Sequence, residues 1–118
     1  MILRPPGSTV RVLLPSTRVQ EEGEQVYAHI RVMTEGDKVW FEGLSDSLGD
    51  FEVARRFIGR MVTKFEGLKE VDGSEVEFDR EPDGALTKES AARILPLHAE
   101  LCALIRNGAL LTEAERKN

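Results

Sequence analysis

The sequence is short of cysteine, of histidine and of long apolar runs, and each shortage removes a class of protein. The one cysteine, Cys102, has no partner for an internal disulfide, which excludes a covalently stapled secreted fold and fits a reducing compartment. The two histidines, His29 and His98, stand on separate segments without a cysteine or second histidine at zinc-site spacing, so no metal is expected. No window reaches the ~20 apolar residues of a membrane span, and Met1 to Gly7 lacks the apolar core of a secretory signal, so no membrane partner is expected. The ten glycines never gather into a dinucleotide fingerprint, a P-loop or a nucleophile elbow, which leaves cofactor chemistry without a foothold. Positive charge is scarce as well. Sixteen Lys and Arg against 21 Asp and Glu give a net charge of −5, which repels phosphate backbones unless the basic residues gather on one face, so no nucleic acid is expected.

What is present is a globular balance: 41% apolar and 31% charged residues over 118 positions, enough for one domain that buries about two-thirds of its unfolded surface. Residues 1–8, with Pro5-Pro6-Gly7, read as an extended lead-in to the β-branched strand Thr9–Leu14, which Pro15 ends. Gln25–Met33 alternates cleanly, with Val26, Ala28, Ile30 and Val32 on one face and Tyr27, His29, Arg31 and Met33 on the other. Glu35-Gly36-Asp37 then reads as a turn and Lys38–Glu42 as a hairpin partner, completing a three-stranded antiparallel meander. From Asp50, a candidate N-cap, Phe51, Ala54, Ile58, Met61 and Val62 recur at helical steps; Gly59 either weakens this helix or marks a close backbone approach.

Lys64–Phe78 reads as a second small hairpin around Asp72-Gly73, a type I′ signal, with Val76 and Phe78 on one face. Arg80–Leu86 is a loop. Thr87 can cap a short helix through Leu95, and Leu97, Leu101, Leu104 and Ile105 form a helical stripe beyond Pro96, which either kinks one helix or opens the next. Asn107-Gly108 suits a helix end, and Thr112–Glu115 matches a capping box for a last, frayed turn at 113–118. The whole is an α+β fold: N-terminal antiparallel meander, central amphipathic helix, small hairpin, and C-terminal helices packed on the sheet.

Nothing in this pattern assembles a catalytic site. His29 and His98 read as surface imidazoles, and Cys102 as a packed thiol; the one enzymatic alternative is a Cys102/His98 pair one helical turn apart, in a small hydrolase. The acidic row Glu75, Glu77, Asp79, Glu81, Asp83 lacks the ligand order of a calcium loop. Arg55, Arg56, Arg60 and Lys64 read as a solvated basic helix face, which could instead pair with neighbours such as Glu52 or contact an acidic partner. Trp40, left outward if Val39 and Phe41 face the core, is either an exposed partner anchor or covered by a helix. The stripe Leu97, Leu101, Leu104, Ile105, with Leu110 and Leu111, is the other candidate partner surface, or else core.

The order of these elements over about the second two-thirds of the chain resembles the tail assembly chaperones, or minor tail-assembly proteins, of tailed bacteriophages and prophages. The likeness rests on Phe51-Glu52-Val53 opening a helix, Phe65-Glu66-Gly67-Leu68, Asp72-Gly73, Phe78, a leucine-rich helix and a Lys117-Asn118 end; Phe65 stands where tryptophan is the more frequent residue. The resemblance implies a non-enzymatic protein in the bacterial cytoplasm that shields the helical tape-measure protein and recruits tail-tube subunits, with no catalytic residues. The alternatives are a virion structural protein, such as a head-tail connector or tail-completion subunit, and a generic protein-interaction module.

Overall fold

Alternation decides the sheet. The computed structural model describes residue 5 and residues 7–107, and in it β1 (Thr9–Leu13), β2 (Tyr27–Arg31) and β3 (Val62–Glu66) form one antiparallel sheet in that order. Val10 lies opposite Ile30 and Val12 opposite Ala28, so the period of two puts all four on the buried face, which Leu14, Val26 and Val32 extend past the strand ends. Pro15 does end β1. The chain returns through a 3₁₀ turn at Pro15–Thr17, where the Thr17 hydroxyl donates to the Leu14 carbonyl (2.9 Å) and accepts from the Val26 amide (3.0 Å).

The third strand is not the expected one. Lys38–Glu42 lies inside a helix, α1 (Glu35–Ser47), and the sheet is completed by Val62–Glu66. Thr34 and Asp37 build a capping box: the Asp37 amide donates to the Thr34 hydroxyl (3.1 Å) and the Thr34 amide to the Asp37 carboxylate (3.0 Å). The supposed turn is therefore the first turn of the helix, and Val39 and Trp40 change sides while Phe41 keeps its place toward the core. Val39 is 63% exposed, while Trp40 and Phe41 are half-buried against the core.

α2 (Asp50–Met61) is the expected amphipathic helix, with Gly49 rather than Asp50 as N-cap, and it buries Phe57, Ile58 and Met61 completely before running straight into β3. Gly59 marks a close approach. A Cβ there would stand 2.5 Å from the Leu86 amide nitrogen and 2.6 Å from the Gly84 carbonyl oxygen.

Phe65 belongs to β3, so the small hairpin shrinks to one bridge, Lys69 to Glu75, with Val76 and Phe78 half-buried as expected. The Gly73 amide donates to the Glu70 carbonyl (2.9 Å) with only Gly73, not Asp72, at positive φ. That excludes type I′ and leaves a type I turn followed by a left-handed glycine. The same device closes Glu81-Pro82-Asp83-Gly84, where a loop was expected.

Thr87 caps α3 (Lys88–Arg93), accepting from the Ser90 amide, and Pro96 separates it from α4 (His98–Arg106) through a 3₁₀ turn at Leu95–Leu97. α4 packs Leu101 and Ile105 into the single hydrophobic cluster that joins sheet and helices. The molecule is an α+β fold with its core between the sheet and the helices. The expected Gly108 helix end, Ala109-Leu110-Leu111, the Thr112 capping box and most of the N-terminal lead-in lie outside the described residues.

Candidate functional site

A groove of about 640 Å³ opens where the end of α1, the start of α2 and the outer side of α4 meet. α1 contributes Phe41, Ser45 and the flanking Leu48; α2 contributes Asp50, Phe51, Val53 and Ala54. The opposite wall is Leu95 of the 3₁₀ turn together with His98, Ala99, Cys102 and Arg106, which lie along one side of α4. Its size lies within the ~300–1,000 Å³ usual for binding pockets, and the surface is mainly apolar with a few polar groups at its edges.

The expected partner residues sit one face away from it. Leu101 and Ile105 are fully buried and Leu97 and Leu104 half-buried against the core, so this stripe anchors α4 instead of presenting a free surface. Trp40 is no exposed anchor: its ring packs against the core and the Arg60 guanidinium lies over it, 4.5 Å from the centroid. Leu110 and Leu111 fall outside the described residues. The missed residues, Phe41 and Leu48 above all, carry a legible signal: positions 37, 40, 41, 44 and 48 follow a helical period that the strand reading of Lys38–Glu42 hides.

Two ion-pair networks hold the walls. Arg55, expected on a solvated face, is buried: its Nε and Nη2 donate to both Glu52 carboxylate oxygens (2.7 and 3.0 Å), and Nη1 to Glu81 and the Leu86 carbonyl (both 2.9 Å). The network ties the turn at residues 81–84 to α2, and Arg55 holds the Glu52 carboxyl below its ordinary range. Asp37 is fully buried at the start of α1, bonded by Arg60 (2.9 Å) and Arg31 (3.3 Å). Burial pushes its carboxyl up, but the Thr34 donors and the two guanidinium groups outweigh that and hold it below the usual value.

His98 is buried rather than on the surface. Its Nε2 stands 2.8 Å from the Ala91 carbonyl, which can only accept, so Nε2 is the protonated nitrogen and donates there. Cys102 is half-buried, and burial raises its thiol pKa against the weaker opposing pull of Arg106. Among the described residues no hydrogen bond joins the two side chains, and a neutral, desolvated thiol is a poor nucleophile. His29 is partly exposed on the sheet, with its Nε2 2.5 Å from Glu66. The acidic row from Glu75 to Asp83 does not converge, and no three His, Cys, Asp or Glu among the described residues are placed to hold a metal. No family model, no curated protein and no solved structure matches the chain.

Proposed function

We propose that this chain is a non-enzymatic, phage-related protein-binding protein, a tail assembly chaperone whose groove takes the apolar face of a helix from a tape-measure protein or tail-tube subunit. The observation that carries the reading is the groove itself. Phe41, Leu48, Phe51 and Leu95 offer an apolar trough between helices, the geometry in which an amphipathic helix lays its i, i+3, i+4 anchors. Asp50 stands at the α2 end and Arg106 at the α4 end, so a client helix with charges flanking its apolar stripe fits better than a wholly apolar one. Phe51, which opens the helix on which the family resemblance partly rests, is one of the groove residues. The negative net charge keeps a complex with an aggregation-prone client in solution.

Co-expression with the tape-measure protein of the same phage tests this. A co-purifying complex is expected, lost in Leu48→Asp and in Leu95→Asp but kept in Val39→Asp, which puts the same charge on an exposed position outside the groove. A complex indifferent to both groove substitutions would overturn the reading. Recovery of the chain from finished particles, without a tape-measure complex, would assign it to the virion structure instead.

A further inference from the structure

The sheet has a second face that the groove does not use. Its side chains Arg11, Tyr27, His29, Lys64 and Glu66 are none of them buried. Pairing places Arg11 opposite His29 and His29 opposite Lys64, so three basic side chains stand in one row across all three strands. Arg11 and Lys64 stand on the two outer strands with His29 between them, so their positive charges share one face two strand spacings, ~10 Å, apart. One carboxylate relieves them. Glu66 accepts from Arg11 Nε at 2.7 Å and lies 2.5 Å from His29 Nε2, while Lys64 has no carboxylate partner among the described residues. In a chain of net charge −5, this row sets two cationic side chains and an imidazole against one carboxylate.

We propose that this open face is a docking surface for an acidic segment of a protein partner, held by the row Arg11, His29 and Lys64. Glu66 shows the chemistry the row accepts, a carboxylate shared between a guanidinium and an imidazole. The row spans two inter-strand spacings, about 10 Å, enough for two or three carboxylates of an extended segment but short for a run of phosphates. The phenol ring in the patch is partly occupied: the Arg11 guanidinium lies over one face of Tyr27, 3.6 Å from the centroid, which takes that face from a stacking base. A single-stranded nucleic acid therefore finds a reduced stacking platform, whereas an acidic peptide needs none.

The test is fluorescence anisotropy of labelled deca-glutamate with the full chain at low salt, alongside oligothymidylate of the same length. Saturable binding of the peptide is expected, weakened about tenfold or more by Lys64→Glu and by Arg11→Gln, and tightened severalfold by Glu66→Gln, which frees the row. Leu48→Asp, in the groove, should leave it unchanged, so failure of the groove reading and failure of this one are separable. No peptide binding at low salt, binding equal in Lys64→Glu and the parent, or tighter binding of the oligothymidylate would each overturn the proposal, the last by giving the face to nucleic acid.

Discussion

Glycine 59 and Arg55 show how much one position can conceal. The sequence marks Gly59 as a helix interior glycine, and that alone costs about 0.5–1 kcal/mol relative to alanine. Only the fold shows why it is kept: the backbone of residues 84–86 lies against it, leaving no room for a Cβ. Gly59→Ala is therefore expected to destabilise the protein by about 1–3 kcal/mol in urea unfolding, despite its better helix propensity. Gly43 is the control. It lies in α1 with nothing within 4 Å of a Cβ, so Gly43→Ala should stabilise by about 0.4–1 kcal/mol. Equal effects at the two sites would mean that propensity, not contact, governs both. Arg55 was not legible in the same way, because its burial depends on Glu81 and Leu86, which no local period connects to it.

At the scale of elements, what could be read was what repeats. β1 and β2 show their buried faces by alternation, and α2 and α4 show theirs by a three- and four-residue period, so most of the core is legible in the sequence. The third strand and α1 were not. Val39-Trp40-Phe41 is a run of strand-forming residues after a turn-like Glu35-Gly36-Asp37, and local propensity favoured a hairpin. The capping box at Thr34 and Asp37, with the burial of Asp37 beneath Arg31 and Arg60, overrides it. The candidate groove was missed for the same reason, since half of it is the end of this helix. Thr34→Ala should cost about 1 kcal/mol in urea unfolding, and Thr34→Ser, which keeps the hydroxyl, much less. A loss as large for serine as for alanine would show that the Thr34 methyl, not the cap, matters.

At the scale of the whole molecule, the carboxylates that depart from their ordinary values among the described residues all shift one way. Asp37, Glu52, Glu66, Glu70, Asp72 and Glu75 all lie below their ordinary values, each drawn down by hydrogen-bond donors: local ones for Glu52, Asp72 and Glu75, and donors brought from other elements for Asp37, Glu66 and Glu70. Glu66 is the extreme: Arg11, then His29, holds it at about 2 instead of 4.5. A carboxyl whose folded pKa is depressed binds fewer protons in the folded state than in the unfolded one near pH 4. Its contribution is therefore complete above the unfolded value and is lost as pH falls toward the folded one. Unfolding free energy should accordingly hold level down to about pH 5 and then fall steadily to about pH 2. The exposed pairs are screened by solvent and salt, so the buried Asp37 should dominate the fall, and raised salt should flatten it only in part. Urea titrations across this range, repeated in Glu66→Gln and in Asp37→Asn, separate the two. Glu66→Gln should trim the lower end of the curve, and Asp37→Asn should lower stability at neutral pH while leaving a shallower acid slope. A slope unchanged in Asp37→Asn would place the acid sensitivity elsewhere in the molecule.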